Sequence, residues 1–379
     1  MIWIAIRMLT GDRQKFFGLL FGIAFSTLLI TQQLTIFVNL IERGASGIYN
    51  VPVGDVWVMD PATRTQDVVY PMPSTALDRV RSVAGVAWAV PHMREVAVVR
   101  TPQGDLEGVS VIGVDDETLI GLPRHMLRGH RDLLKEPDAV FVDVVGAGRM
   151  FENGEEPVGQ WLEMNDRRAV IRGVVDMQPA FMSQAALYTR YSNALGFVPG
   201  SRNRLSFVLV HAADGVDPAE LATRISTQTG LKAMERKAFA RNGVDFIIKN
   251  TGIPINFGIT VALGFIVGVA IVGLTFSLFI RDNIRQFGAL KAIGVDNRIL
   301  ARMVMAQAGL VGMIGYGFGT LMAAAFIANG AANSADFKGF YSPWEVPLIS
   351  FLAMAAILLL TGWLAMRRVL KTEPASVFR

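Results

Sequence analysis

Four stretches of this 379-residue chain contain no Asp, Glu, Lys or Arg: Phe16 to Ile41, Asn250 to Ile280, Met303 to Ala335 and Val346 to Met366, of 26, 31, 33 and 21 residues. A helix crosses a hydrocarbon core with about 20 apolar residues, so each stretch is long enough to span a bilayer. Arg13 and Lys15 before Phe16 give the first stretch the look of a secretory signal. A signal core runs only about 7–15 residues and ends at a small-residue cleavage site. This run is longer and has no convincing Ala-x-Ala, so it reads as a retained helix. The second and third stretches exceed one span, and their excess is expected near Pro254 and in Asn329 to Ala335.

All 36 basic and 32 acidic residues fall in the remainder. Their density there is about a quarter, that of an ordinary soluble domain. The fold class expected is a membrane protein with four transmembrane α-helices, arranged one plus three. A large α+β extracytoplasmic domain is inserted between the first and second. A wholly soluble enzyme and a disordered chain are excluded. With no cysteine, so are a disulfide scaffold, thiolate catalysis and zinc–sulfur sites.

Orientation follows from basic residues in short flanks. Arg7, Arg13 and Lys15 flank the first span, and Arg281, Arg285, Lys291, Arg298 and Arg302 lie between the second and third. Arg367, Arg368, Lys371 and Arg379 follow the fourth. Segment 42–249 holds 23 basic and 26 acidic residues. The expected divisions are therefore 1–15, a cytoplasmic amphipathic segment; 16–41, the first span; 42–249, the outer domain; 250–280, the second span; 281–302, a cytoplasmic segment; 303–335, the third span; 336–345, a short outer loop; 346–366, the fourth span; and 367–379, a cytoplasmic tail. Both termini lie in the cytoplasm of a plasma-membrane (inner-membrane) protein. The basic flanks meet anionic lipid, which accounts for the pI of about 9.4 without nucleic acid.

The outer segment mixes periods. Strand-like alternation marks Asp55 to Met59, Glu95 to Arg100, Leu106 to Val114, Val140 to Val144, Ala169 to Val175 and Arg204 to Val210. Thr101-Pro102-Gln103-Gly104-Asp105 reads as a hairpin turn. Helices are predicted over Ser74 to Val83, with Ser74 as N-cap, and over Asp217 to Thr229, with Pro218 at the first helical position. A further helix over 231–250 is expected to feed the second span, continuous with it.

Candidate chemistry is sparse. His125 and His130 are five apart, off a common helix face, and His92 and His211 stand alone. Asp115-Asp116-Glu117 lacks the alternating ligand spacing of a calcium loop. Gly-x-Ser-x-Gly, His-Glu-x-x-His and the Walker A motif are all absent. No catalytic or metal residue is assigned. No ionisable side chain falls inside a span, which argues against proton-coupled transport. Gln32, Gln33, Asn39, Thr275, Ser277 and Gln307 are read as helix-packing polar groups. Gly264 with Gly268, and Gly315 with Gly319, permit close helix approach.

Between the second and third spans, Ile284, Phe287, Leu290 and Ile293 recur at helical spacing with Arg285 and Lys291 between them, and Gly294 is a suitable stop. Periodicity leaves open whether this short amphipathic helix lies on lipid or docks on a partner. The core Gly288-Ala289-Leu290-Lys291-Ala292-Ile293-Gly294 resembles the coupling segment of FtsX/MacB-type ABC permeases. The tail Glu373-Pro374-Ala375-Ser376-Val377-Phe378-Arg379 resembles that family's ending, and the layout of one span, outer domain and three spans matches throughout. The stretch from Leu9-Thr10 to Gln33-Leu34 most resembles the DevC branch.

The resemblance implies a permease that binds no cofactor itself, with ATP and Mg on a separate ABC ATPase subunit. It also implies a homodimer, a membrane-fusion (HlyD-like) partner and export of a lipid-like or amphipathic substrate. On that basis Phe287, Leu290 and Ile293 are expected in an ATPase groove, Arg285 and Lys291 at its acidic rim, and Gly288, Ala292 and Gly294 in close packing and the helix end. The alternative is an FtsX-like scaffold that moves an outer partner without transport. A membrane-anchored enzyme is a third, for which no convergent polar site is found.

Overall fold

A computed structural model describes residues 2–151, 155–181, 184–198, 200, 204–334 and 337–370. The tail motif at Glu373 to Arg379 and the expected boundaries at 335 and 336 lie outside these residues. The chain divides into two compact units, one of residues 1–39, 252–330 and 340–379, the other of 40–251 and 331–339.

The first unit is helical. It contains α1 (Ile2–Gly11), α2 (Arg13–Tyr49) as far as Asn39, α8 (Ile253–Asp282), α9 (Ile284–Ala292), α10 (Asn297–Asn333) and α11 (Glu345–Leu370). Four of these, α2, α8, α10 and α11, are long and apolar enough to cross a membrane. The helices outrun the charge-free stretches, because backbone hydrogen bonding continues into polar flanks where water tolerates the side chains. Apolar attraction between helices vanishes in lipid, so association rests on close packing and interhelical hydrogen bonds. A Cβ built on Gly315 would sit 2.8 Å from Ile23 Cγ2, and one on Gly319 2.6 Å from the Ala24 carbonyl oxygen. Gly268 likewise faces Ile357 Cδ1 at 2.8 Å, while Gly264 meets Ile30 at an ordinary 3.4 Å. Ser26 Oγ donates to Gly264 O at 2.8 Å, Thr31 Oγ1 to Ser350 Oγ at 2.9 Å, and Asn39 Nδ2 to Tyr341 O at 2.7 Å. Gln307, fully buried, donates to Ala5 O at 2.8 Å and pins α1 to α10.

The continuous helix expected over 231–250 and into the second span is corrected. Residues Lys232–Glu235 form a strand, β12, and α7 (Arg236–Asn250) then ends at Thr251, which is extended. Pro254 opens α8, and its missing N–H and fixed φ suit a helix start rather than a helix interior.

The second unit is α+β. Its first lobe runs β1 (Val56–Met59), α3 (Thr75–Arg81), β3 (Val86–Arg100), β11 (Phe207–Ala212), α6 (Pro218–Thr229) and β12. The strand order β12-β1-β11-β3, antiparallel throughout, is that of a ferredoxin-like split βαβ fold. Val58, Val80, Val210, Leu221 and Ile225 form the core beneath α3 and α6. Trp57, Phe207 and Phe239 fill the opposite face, beneath α7 and the last turns of α2. Pro218 opens α6 as expected, with Asp217 capping it by accepting from Glu220 N, whereas the expected cap Ser74 makes no side-chain cap bond on α3.

The second lobe is inserted between the second and third strands of the first. It holds β4 (Leu106–Val114), β5 (His125–Arg128), β6 (Ala139–Asp143), α4 (Val144–Met150), β7 (Trp161–Met164), β8 (Arg167–Asp176), β9 (Ala185–Arg190) and α5 (Tyr191–Phe197). One strand joins the lobes: β3 pairs with β11 up to His92 and with β4 from Met93 to Arg100. The hairpin after it closes on Thr101, whose carbonyl accepts from Gly104 N at 2.9 Å, with Gly104 at φ 97°. Buried Asp143 caps α4, accepting from Val145 N and Gly146 N, and ties β9 by accepting from Ala186 N at 2.8 Å. Two short strands, β2 (Met72–Pro73) and β10 (Arg204–Leu205), pair separately.

Two outcomes are expected. Gly319→Val should destabilise the helical unit by about 1–3 kcal/mol through overpacking, whereas Gly317→Val, with open space around it, should not; thermal unfolding in detergent compares them. His92 is wholly buried, 5.5 Å from the Trp57 ring, and burial with the Arg94 charge pushes its pKa from 6.5 down to about 3. Between these values the unfolded chain takes a proton that the folded chain refuses, so stability is lost as the pH falls through this window. The contribution is about 1.4 kcal/mol per pH unit. His92→Phe should flatten that slope, read from Trp fluorescence during unfolding.

Candidate functional site

The segment between the second and third spans is built on one residue that ends one helix and begins the next. Asn283 is buried, and its Nδ2 donates at 2.8 Å to the Phe279 carbonyl, which also accepts from the Asn283 backbone N–H at 3.2 Å, so one residue closes the end of α8 twice. Its own carbonyl accepts from Gln286 N and Phe287 N, starting α9. The helix stops in a Schellman motif. Gly294, at φ 91°, donates to Lys291 O at 3.1 Å, and Val295 N donates to Leu290 O at 3.1 Å. Leu290 and Val295 both pack against the helical core, the apolar contact that accompanies such an ending.

The placement of the expected docking residues is a correction in part. Phe287 is 1% exposed and sits in the core with Phe276, Phe279, Leu300 and Val304. It anchors the segment and is closed to a partner. Gly288 is buried beside it, and Ile284, Leu290 and Lys291 are half-buried. Phe287 and Leu290 of the apolar repeat are taken up by the chain's own core, because a nine-residue helix has little stability until one face is packed, whereas Ile293 is left out of it. The surface left outward is Arg285, Gln286, Ala289, Ala292 and Ile293, on one helical face, with Gly294 at its end. Ile293 is 77% exposed.

A cluster of charges absent from the sequence expectations borders this surface. Lys15 Nζ bonds Asp12 and, at 2.6 Å, Asp282 Oδ2. Asp12 also accepts from Lys15 N at 3.2 Å at the start of α2. The first turn of α2 is thereby tied to the end of α8. Asp12 just before an apolar run is an N-cap signal, but nothing in linear spacing ties it to Asp282. Trp3, Arg7, Arg13 and Gln286 line an open basin between α1 and α9, with Arg7 stacked over Trp3 at 4.8 Å. Among the described residues no group of three or more His, Asp or Glu side chains could hold a metal ion.

Residues 16–228 match the MacB-like periplasmic core domain, and residues 258–374 match the FtsX-like permease C-terminal domain. The chain belongs to the FtsX/MacB-like ABC transporter permease family, with four candidate spans and the α+β domain between the first and the rest. It is 21% identical over 354 residues to the macrolide export ATP-binding/permease protein MacB of Agrobacterium fabrum. That alignment covers 89% of this chain and 51% of the relative, so the chain spans about half the relative's length. Among solved structures, the periplasmic region of MacB from Actinobacillus actinomycetemcomitans is 17% identical, with a TM-score of 0.38, covering 54% of this chain and 96% of that one. The extracellular domain of the noncanonic ABC-type transporter YknZ from Gram-positive bacteria is 13% identical, with a TM-score of 0.36, covering 48% and 99%. Structural likeness at these scores adds nothing to the family assignment.

Phe287→Ala should cost about 3–5 kcal/mol, the loss of a buried aromatic with its cavity, whereas Ile293→Ala should leave unfolding of the helical unit unchanged. Thermal denaturation of the purified full chain checks both.

Proposed function

We propose that this chain is the membrane subunit of an ABC transporter and couples ATP hydrolysis on a separate ATPase subunit to movements of its outer domain. The observation that carries the reading is α9, a helix anchored by Phe287 with a small-residue and arginine face left outward between two spans. Small side chains at Ala289, Ala292 and Gly294 let a partner backbone approach, Ile293 supplies an apolar knob, and Arg285 supplies charge for an acidic rim. Basic flanks at Arg7, Arg13, Arg285, Arg298 and Arg302 support a cytoplasmic location for α9 and both termini, where ATP and Mg would be held on the ATPase.

The active unit is a homodimer with two ATPase subunits. With no ionisable group inside the charge-free stretches, force rather than a polar pore is transmitted. The work exports a lipid-like or amphipathic substrate with a membrane-fusion partner, as in the DevC branch. The same uncharged spans also suit a scaffold that moves an outer partner without passing cargo.

The test is co-purification from native membranes in mild detergent, followed by ATPase assay of the complex. An ABC ATPase should be recovered in equal amount. The double variant A289D/I293D should insert and fold normally yet lose ATPase association by tenfold or more, about 1.4 kcal/mol at a central contact. Undiminished association would sink this use of α9. A membrane-fusion protein in the complex favours export, and a peptidoglycan hydrolase favours the scaffold.

A further inference from the structure

The outer domain contains a cavity of about 400 Å³, within the size range of small-molecule sites. Its floor is one face of the second-lobe sheet. Arg94 and Val96 of β3, Ser110 and Ile112 of β4 and Ala186 of β9 alternate onto that face, with Arg94 opposite Ile112 and Ser110 beside both Val96 and Ala186. Its roof comes from Val68 and Val69 in the loop after β1, from Met177 and Phe181 after β8, and from Phe246 and Ile247 of α7. The same sheet face is covered on one side by the Trp57 cluster and on the other by Leu119, Phe141 and Tyr188. The cavity is thus a gap in an otherwise packed layer. An apolar surface leads out of it: Val96 on the wall is 62% exposed, and Val98, two residues further along the same face, is 58% exposed.

The polar end is small and already neutral. Arg94 donates to Asp67 Oδ1 at 2.9 Å, and both side chains are largely buried. A charged head would have to break this pair or be buried without a counter-ion, at a cost of several kcal/mol or more. Glu95 borders the cavity, but strand alternation turns its side chain to the other face, where the Arg204 charge acts on it. Gln66 is only 1% exposed. Its Nε2 donates to Gly44 O at 3.2 Å, while its Oε1 has no hydrogen-bond partner among the described residues. A buried amide oxygen without a donor is rare in a finished interior; this one lies against Gly47 beside Arg94 and meets the cavity only when the Gln66 side chain turns.

We propose that this cavity binds an amphipathic molecule with an apolar body and an uncharged, hydrogen-bond-donating head, an alcohol or an amide N–H. The tail lies over Val96, Ile112, Met177 and Phe246, and the head donates to Gln66 Oε1 after that side chain has turned from Gly47 toward the cavity. The site deepens the transporter reading and rests on it only for the ligand's being cargo.

The experiment uses the full chain in lipid nanodiscs with a photoreactive alkyl diazirine of about twelve carbons, a tail suited to a cavity of this class. One form carries a hydroxyl head and the other a carboxylate. Mass spectrometry should map the hydroxyl probe to Val68, Met177 and Phe246. Its labelling should exceed that of the carboxylate probe at least about tenfold, because the carboxylate loses the hydrogen bond to Gln66 and must also be buried as a charge. Ala180→Trp, which fills the space, should reduce labelling about tenfold. Val68→Phe, at an exposed loop position that lines the cavity, should do the same without touching the core. Gln66→Met should lower labelling by the hydroxyl probe about tenfold, the worth of the lost hydrogen bond, while the carboxylate probe stays excluded by the Arg94–Asp67 pair. Label confined to the membrane spans, labelling of both filled variants undiminished from that of the unaltered chain, or preference for the carboxylate would overturn the proposal. The ATPase assay in the same nanodiscs reads the transporter assignment separately. Coupled hydrolysis without cavity label sinks the site alone, and cavity label without coupling sinks the transporter and leaves the site.

Discussion

The hydrocarbon core offers the backbone no water, so every peptide group within it must find its partner inside the protein. The four charge-free runs meet that condition as helices, and the rest of the helical unit follows from it. Lipid tails are as apolar as leucine, and so leucines face outward in number while small and hydroxylated residues mark the closest points between helices packed around an apolar core. Gly268, Gly315 and Gly319 let neighbouring chains approach to contact. Ser26, Thr31 and Gln307 supply the directional bonds that fix which helix meets which.

The segment that leaves this environment, α9, is held by a single aromatic. Phe287 buries its ring in the helical core, and Asn283 and Gly294 define where the short helix starts and stops. The division of labour is clean. One face belongs to the chain itself, and the opposite face, made of Arg285, Ala289, Ala292 and Ile293, is free of that duty. The clasp of Lys15 with Asp12 and Asp282 holds the base of α2 to the end of α8, so the segment adjoins a fixed point rather than a loose loop.

Much of this architecture is legible in residue pattern, because the strongest signals are local. Uncharged length marks the spans, period-two alternation marks β4 and β8, and Asp217-Pro218 marks the start of α6. Illegible features have long-range causes. Helical periodicity identifies Phe287 and Leu290 as one apolar face but does not say whether that face meets a partner or the chain's own core. Asp12 and Asp282 become one site only when two helices converge. The continuous helix expected before the second span fails because Lys232 to Glu235 completes the edge of a sheet, where pairing with β1 outweighs local preference. The cavity is invisible in sequence for the same reason: Gln66, Arg94, Ser110 and Phe246 come from four separate elements.

β3 serves two sheets in one continuous strand, and the chain that forms the second lobe is strung between β3 and its other partner, β11. Val90 and Leu209 pair across the whole of that insertion. The first lobe therefore cannot close until the second has been synthesised, and the entropy of closing so long a loop falls steeply once the insertion is compact. The far half of β3 is satisfied within the inserted lobe by β4, whereas its near half must wait for β11, which lies beyond the insertion in the chain. Until β11 and α7 are made, Trp57 lacks the Phe207 and Phe239 rings that cover it, so an aromatic surface stays open for as long as the insertion takes to emerge.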